Sequence, residues 1–201
     1  MKKIASLIVL VSVHLFLTAQ SNPDSLYTLW QDSNQPDSIR VKAYHDYIYQ
    51  GFLYTNPDSA IVLANQLIKY GDNKNFPKAN GFAYSLQGLA NFVQGNYTQA
   101  IEEGEKSLRI FEEIEDKKGI AESLNNIGNA YINSSNFDQA LAYQEKSIII
   151  SEEIGYTEQI ASSLNSVGNI YLEQGNYAKA LDYYKRSVKI FEEIGDSFDW
   201  Q

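Results

Sequence analysis

Apolar and polar positions follow a helical period through most of the chain. In residues 116–155, one helix face is predicted by apolar residues that recur every three or four positions: Ile120, Leu124, Ile127 and Tyr131. Ser135 and Asn136 interrupt this pattern, and apolar positions resume at Phe137. Gly155 ends the second segment, at a position where helices often need a positive φ. The segment therefore predicts two helices joined by a short break.

The same pattern returns every 40 residues. Residues 116–155 and 156–195 are identical at 18 of 40 aligned positions. Small residues mark the period most clearly: Ala60, Ala100, Ala140 and Ala180, and Gly88, Gly128 and Gly168. A small residue lets paired helices approach closely, which explains a glycine that costs about 1 kcal/mol in a helix interior. One helix pair cannot bury its own apolar stripe, so the units are expected to stack.

The repeated residues resemble those of the tetratricopeptide repeat family. The third unit has Leu124, Gly128, Tyr131 and then Ala140, and the fourth keeps the same residues 40 positions later. The long period is similar to that of kinesin light chains and bacterial sensor arrays. The resemblance implies an all-α fold, a right-handed superhelical solenoid of about three to four antiparallel helix pairs. It also implies a non-catalytic scaffold that binds proteins or peptides.

Six segments are predicted along the chain. They are a signal peptide (1–19), N-terminal helices with a degenerate first repeat (20–75), three repeats (76–115, 116–155 and 156–195) and the start of a further helix (196–201). Pro-Asp-Ser recurs at 23–25, 36–38 and 57–59 and predicts three helix starts, because proline is tolerated at the first helical position. Residues 71–77 are predicted to form a loop. Gly195 matches Gly155 and is expected to end the last helix.

The first 19 residues have the pattern of an export signal. Lys2 and Lys3 precede a stretch without formal charge that ends near Ala19, a residue small enough for cleavage. Sixteen residues, 4–19, are short for a membrane span of roughly 20 residues. An uncleaved N-terminal anchor is the alternative. We therefore expect a protein secreted across the inner membrane, periplasmic or otherwise extracytoplasmic.

Charge and cysteine content exclude several classes of protein. The formal net charge is −9, and loss of the signal peptide would make it −11. A nucleic-acid-binding protein would need a basic face, so no nucleic-acid partner is expected. The acidic balance favours a neutral to basic protein or peptide partner. The chain has no cysteine, which excludes disulfides and cysteine-based metal sites. Residues 20–201 show no pattern for membrane contact.

No catalytic or cofactor-binding motif is visible. His45 is expected to be a half-buried helix residue, because it has no cysteine partner and no evident nucleophile. The recurring Glu-Glu pairs, such as Glu152-Glu153, are expected on a solvated face, since adjacent helix residues do not face each other. We therefore expect no enzyme activity, no cofactor and no metal site.

The candidate ligand residues lie on the first helix of each pair, which lines the concave face in the resembling family. Asn125 and Asn129 share a helix face, and Asn165 and Asn169 repeat them. Such an asparagine ladder could hold a peptide backbone, because each amide both donates and accepts. The alternative is that the asparagines only tie helices together. The remaining candidates are Glu122, Asn133, Glu173, Ser85 and Phe92.

The end of the sequence suggests a further interaction. The outer face of the helix near 177–194 is expected to be uncovered, which predicts an N-terminal fragment of a longer protein or self-association through that helix. A second hypothesis makes the chain the sensor segment of a membrane-anchored histidine kinase or nucleotide cyclase. It rests on similarity of architecture alone.

Overall fold

A computed structural model describes residues 23–198, and this part of the chain forms nine α-helices. Their bounds are α1 (Pro23–Gln31), α2 (Asp37–Gly51), α3 (Pro57–Lys74), α4 (Pro77–Val93), α5 (Tyr97–Glu113), α6 (Lys117–Asn133), α7 (Phe137–Ile154), α8 (Thr157–Glu173) and α9 (Tyr177–Phe198). The predicted signal peptide (1–19) lies outside the described residues.

The helices stack as successive pairs, which confirms the all-α repeat solenoid. Short loops join α2 to α3, α4 to α5, α6 to α7 and α8 to α9, and the members of each pair pack together. The ranges 76–115 and 116–155 each hold one pair, and the third pair begins within 156–195 and extends to Phe198. The first helices α2, α4, α6 and α8 also contact one another along the stack, whereas the second helices do not. The array therefore curves with its first helices on the concave side.

An aromatic core at the N-terminal end explains the degenerate first repeat. The Trp30 ring of α1 stacks on the buried Tyr44 ring of α2, with centroids 4.4 Å apart. Arg40 donates from Nε to the Trp30 carbonyl oxygen and from Nη1 to the Tyr70 hydroxyl oxygen. The extra helix α1 thus covers the first pair with large aromatic rings.

Prolines and asparagines begin the helices much as their sequence positions predict. Helices begin at Asp37 and Pro57, which confirms two of the predicted helix starts, and the start predicted at residues 23–25 lies at the edge of the described residues. The Asn56 Oδ1 atom accepts a hydrogen bond of 3.1 Å from the Ser59 backbone N–H and so caps α3. Gly155 has φ 66° and ends α7, as expected.

Two predicted breaks are wrong. The loop expected at 71–77 is much shorter, because α3 continues to Lys74 and Asn75 makes the turn with φ 51°. The helix continues through Gly71, where a Cβ atom would collide with the Asn80 side chain of α4. The break expected at Gly195 is absent as well, since α9 runs through it to Phe198. Residues 196–198 therefore extend α9 and do not begin a new helix.

Close helix contact explains the repeated glycine at position 128, as the sequence predicts. A Cβ atom added to Gly128 would lie 2.6 Å from the Gln144 side-chain nitrogen of α7. Real Cβ contacts are essentially never that short, so a larger residue would displace the Gln144 side chain and its hydrogen bonds to Asn125 and Asn129.

The interface between α5 and α6 is apolar at its centre. The Phe111 ring of α5 is buried, with 1% of its surface exposed, and it packs against Phe82 with centroids 5.7 Å apart. Two glycines make room for it: a Cβ at Gly81 would lie 2.8 Å from the ring, and a Cβ at Gly119 would overlap it. We call this contact the apolar interface.

The equivalent interface between α7 and α8 is polar. Ser151 occupies the position of Phe111 and is fully buried. The Ser147 hydroxyl donates to the Ala121 carbonyl oxygen at 2.8 Å and lies 2.9 Å from the Ser163 hydroxyl, contacts that Ser107 and Ser123 also make in the apolar interface. Gln159 replaces the glycine found at position 119, and its Nε2 donates to Ser163 Oγ at 3.3 Å. We call this contact the polar interface.

Candidate functional site

A groove runs along the concave side of the array and is lined by first helices. Two adjoining cavities of about 610 and 430 Å³ form it. His45, Asp46 and Glu122 border both cavities. The other lining residues used below are Leu26, Leu29, Ile39, Lys42, Lys78, Phe82, Asp116 and Lys118 around the larger cavity, and Tyr49, Gln50, Ser85, Leu89, Asn126, Tyr156 and Gln159 around the smaller one.

The larger cavity has an apolar floor and a rim of paired charges. Apolar side chains reach it from three helices: Leu26 and Leu29 of α1, Ile39 of α2 and Phe82 of α4. On the rim, Lys78 Nζ lies 2.6 Å from Asp116 Oδ2. Burial raises the pKa of Asp116, but the hydrogen bonds from Lys78 and the Gly119 N–H outweigh it, so the pKa lies below its usual value.

Asp46 is the charged group where the two cavities meet. Its carboxylate oxygens lie 2.5 Å from Lys42 Nζ and 3.0 Å from His45 Nδ1. Burial raises the pKa of Asp46, but the hydrogen bonds from His45 and Lys42 lower it by more. The pKa of Asp46 therefore lies below its usual value. The carboxylate is therefore ionised at neutral pH and holds both neighbours in place. The His45 ring packs on Phe82 with centroids 4.8 Å apart.

The smaller cavity is lined mainly by uncharged polar groups. Gln50, Ser85, Asn126 and Gln159 supply amides and a hydroxyl from four successive first helices. The Tyr156 hydroxyl donates to Glu122 Oε1 at 2.8 Å, and burial together with the Glu122 charge raises the pKa of Tyr156. These groups can donate to and accept from the backbone of a bound peptide.

Charges within the groove are balanced. Lys118 Nζ lies 4.4 Å from the centre of the Tyr156 ring, a cation–π contact. The groove-lining lysines are Lys42, Lys78 and Lys118, and the groove-lining acids are Asp46, Asp116 and Glu122. The net charge of −9 for the whole chain is therefore not concentrated in this groove.

The first asparagine pair lies inside the polar interface. Asn125 is buried, and its Nδ2 donates to Gln144 Oε1 at 2.9 Å and to Ser163 Oγ at 3.2 Å. The Asn129 Oδ1 atom accepts from Gln144 Nε2 at 3.0 Å and from the Ser166 hydroxyl at 2.8 Å. These contacts occupy both amides with helix-to-helix bonds, which favours the alternative that they tie helices together.

The second asparagine pair is divided between two environments. Asn165 is exposed. Asn169 Oδ1 accepts a hydrogen bond of 2.7 Å from the Tyr184 hydroxyl of α9, so it joins the two helices of its own pair. The four asparagines therefore do not share one environment.

The other predicted ligand residues are spread over several sites. Glu122 and Ser85 line the groove. Phe92 lies against Tyr97 at the α4–α5 turn, with ring centroids 5.7 Å apart. Asn133 is exposed and donates to the Asn129 carbonyl oxygen at 3.0 Å, and Glu173 is exposed at the end of α8. These last three residues do not line either cavity.

Sequence reasoning missed Asn126, the groove-lining neighbour of Asn125. One available signal is variation between repeats. Asn126 corresponds to Leu86 and Ser166, whereas the interface residue Ser147 recurs as Ser107 and Ser187. The serine that repeats identically holds helices together, whereas position 126 changes residue type from repeat to repeat, as interface position 111 also does in Ser151.

Residues 23–198 contain no group of three or more histidine, cysteine, aspartate or glutamate side chains placed to hold a metal ion. None of the helices in that range is long and apolar enough to cross a membrane.

Comparison with known families identifies the repeat. A family model described as tetratricopeptide repeat matches residues 81–148 and 119–193, which together span more than half of the chain. The chain belongs to the tetratricopeptide repeat family. Repeat arrays of this kind use extended concave surfaces for binding, so the chain is a protein-interaction scaffold. No curated protein matches the chain significantly in sequence.

Several solved structures share the tetratricopeptide fold of this chain. The apo form of RapI matches with a TM-score of 0.70 and 17% identity, covering 90% of this chain and 69% of that one. Aspartyl phosphate phosphatase F from Bacillus subtilis matches with a TM-score of 0.67 and 19% identity, covering 79% and 41%. BtubC from P. vanneervenii matches with a TM-score of 0.64 and 13% identity, covering 89% and 72%. At these identities the likeness extends to the fold alone.

Proposed function

We propose that this tetratricopeptide array is a non-catalytic scaffold that binds an extended, uncharged peptide segment in its concave groove. The observation that supports this most directly is the lining of the groove. Four successive first helices contribute side chains to it, and these side chains differ from repeat to repeat. Between the helices, in contrast, Ser107, Ser147 and Ser187 recur in successive repeats, and each donates to a carbonyl oxygen of the first helix of its pair.

The dimensions of the groove suit a peptide of moderate length. Packed helices lie about 8–10 Å apart, so four first helices span about 30 Å. An extended peptide covers about 3.3 Å per residue, which corresponds to about nine residues. Such a peptide would place apolar side chains on Phe82 and Leu89 and its backbone against Asn126 and Gln159.

The balanced charges of the groove support an uncharged ligand over a strongly basic one. Lys78 and Asp116 already pair with each other, and so do Lys42 and Asp46. A basic peptide would have to displace these lysines to reach the carboxylates. We expect binding to depend little on salt, because few charges change partners.

We further propose that the scaffold acts outside the inner membrane. The support is the export pattern of residues 1–19, with Lys2 and Lys3 before an uncharged stretch. Fractionation of cells that express the chain with a C-terminal tag tests this. Recovery of a shortened chain in the periplasm is expected, and recovery of the uncut chain in the cytoplasm would contradict it.

Selection from a random peptide library tests the binding proposal. We expect peptides of about nine residues to be enriched by the full chain and to lose at least about tenfold in affinity, or 1.4 kcal/mol, with the double variant Leu89→Ala and Asn126→Ala. Ile149→Ala is the matched control, because Ile149 is 55% exposed on α7 and does not line the groove. The proposal is wrong if no peptide is enriched, or if the enriched peptides bind the groove variant as tightly as the wild type.

A further inference from the structure

The last helix carries an apolar stripe on its surface. Tyr177, Leu181, Val188 and Phe191 of α9 are 71%, 54%, 52% and 48% exposed. Their spacings of four, seven and three residues place them on one helix face. Exposed apolar residues arranged as a stripe mark an interaction surface more often than scattered ones do.

The same positions are covered in the two preceding repeats. Phe111 of α5 and Ser151 of α7 correspond to Phe191, and both are buried. Leu141 and Ile148, which correspond to Leu181 and Val188, are half-buried. The covering elements are the next first helices, α6 over α5 and α8 over α7. The stripe on α9 therefore continues a series of interfaces that elsewhere take an antiparallel helix.

The charges beside the stripe complement those of a second α9 helix. Lys185 lies on the N-terminal side of Val188, and Glu192 lies on its C-terminal side. On a helix of 3.6 residues per turn, both fall on the same flank of the stripe. If two α9 helices pair antiparallel about Val188, Lys185 of one copy lies beside Glu192 of the other, and this contact occurs twice. In a parallel pair about a two-fold axis, the same flank of each copy would lie on opposite sides, so Lys185 and Glu192 would not meet.

Space on the stripe also fits an antiparallel pair. Gly195 lies on the same helix face, and a Cβ added there would meet no atom within 4 Å. In a pair centred near Val188, Gly195 faces Leu181 of the other copy. The missing side chain leaves room for that leucine, as Gly119 leaves room for Phe111 in the apolar interface.

We infer that the α9 stripe binds the α9 stripe of a second copy of this chain, antiparallel and around a two-fold axis. A two-fold contact uses the same patch on both copies and closes without leaving a free patch, so it gives dimers and not filaments. The inference concerns a face of α9 and is independent of ligand binding in the groove.

Sedimentation of the full chain over a concentration series tests the dimer. We expect a monomer–dimer equilibrium with a dissociation constant on the order of 10 µM, as for a small interface. Leu181→Glu combined with Val188→Glu should raise that constant at least about tenfold, or 1.4 kcal/mol, with unchanged helical circular dichroism. Ile149→Glu, an equally exposed apolar position on α7, should leave the constant unchanged.

A charge exchange tests the antiparallel arrangement. Lys185→Glu alone and Glu192→Lys alone should each weaken the homodimer, because each places like charges together across the two-fold axis. A mixture of the two single variants should form heterodimers, since every contact then joins opposite charges. The two residues are seven apart on one helix, about 10 Å, so this rescue cannot arise within one chain.

Two outcomes would overturn the inference. One is a chain that stays monomeric up to about 100 µM, well above the expected dissociation constant. The other is a dimer that survives the double glutamate substitution or whose mixed charge variants do not associate. A partner protein or a following helix on α9 would give the first outcome, and a dimer through another face would give the second.

Discussion

The apolar and polar interfaces occupy equivalent places in the array but hold the repeats together by different means. Between α5 and α6, Phe111 fills the space left by two glycines. Between α7 and α8, Ser151 takes the place of Phe111, and Gln159 takes the place of Gly119. Volume is thus conserved across the interface and not at each position. The comparison shows that the residue at one repeat position does not by itself predict how an interface packs. The residues that it contacts in the next repeat must also be known.

The two interfaces should also differ in how they contribute to stability. Burial of a phenylalanine side chain contributes about 1.5–3 kcal/mol. A neutral hydrogen bond contributes a net 0.5–1.5 kcal/mol, because the same groups bond to water in the unfolded chain. A broken buried hydrogen bond is more harmful, since it leaves a partner unsatisfied. Substitutions in matched positions can separate these contributions.

The largest effect is expected from Phe111→Ala. The substitution removes the ring at the centre of the apolar interface and leaves a cavity, which should lower the free energy of unfolding by about 3–5 kcal/mol. Phe191→Ala is the matched control, since the same residue type at the same repeat position is 48% exposed. Urea denaturation of dilute, monomeric protein should show a loss below about 1 kcal/mol for the control. Equal losses would show that Phe111 is not the centre of the interface.

Gly119→Ala should damage the same interface by overpacking. The added methyl group would overlap the Phe111 ring, and the strain should cost about 1–3 kcal/mol in thermal or urea unfolding. Gly51→Ala provides the contrast, because a Cβ at the last residue of α2 meets no atom within 4 Å. That variant should be unchanged or more stable by about 0.5–1 kcal/mol. A neutral Gly119→Ala would mean that the ring can move aside.

Asn125→Ala should weaken the polar interface. It removes the donor that bonds to Gln144 and Ser163 and leaves their oxygens without that partner, so unfolding should become easier by about 1–3 kcal/mol. Asn165→Ala, the exposed equivalent, should change stability by less than about 0.5 kcal/mol. If peptide binding falls with Asn125→Ala while the melting temperature holds, the asparagine ladder of the sequence analysis would be correct after all.

Alanine substitution of two serines in α7 should change the free energy of unfolding in opposite directions. Ser151 Oγ is buried without a hydrogen-bond partner, so Ser151→Ala should raise the free energy of unfolding by about 1 kcal/mol. Ser147 Oγ bonds to the Ala121 carbonyl oxygen and to Ser163, so Ser147→Ala should lower it by about 1–2 kcal/mol. A loss of stability in both variants would contradict the assignment of Ser151 as unsatisfied.

The smallest effect concerns how stability falls at low pH through the Lys78–Asp116 ion pair on the rim of the groove. The folded-state pKa of Asp116 lies below its unfolded value, because Lys78 and the Gly119 N–H outweigh burial. Its contribution is therefore complete above the unfolded pKa of about 3.9 and is lost as the pH falls through the folded pKa. Asp116→Asn should remove less than about 1 kcal/mol at pH 7 and flatten the loss of stability below about pH 4. Lys78→Gln should flatten the same curve in part, and an unchanged curve in both variants would exclude this ion pair.

Much of the fold could be predicted from the sequence because helices are local. Apolar periodicity located the helix pairs, and Pro57 and Gly155 marked a helix start and end. The failures at Gly71 and Gly195 have the same cause. Glycine permits a break but does not require one, and Gly71 instead leaves room for the Asn80 side chain. The candidate site was predicted less well, because adjacent residues such as Asn125 and Asn126 differ by 100° around a helix and so face different neighbours.

The sequence by itself determined the repeat, its period of 40, the helix pairs and the family, since these depend on residue types at fixed short spacings. Only the tertiary structure decided which polar residues line the groove and which are buried between helices. An asparagine has the same helix propensity whether it lines the groove or is buried between helices. Its role is set by partners such as Gln144 and Ser163, which lie 19 and 38 residues away along the chain. Such contacts arise only when the repeats stack. The surfaces that stack also differ between repeats, as Phe111 and Ser151 show.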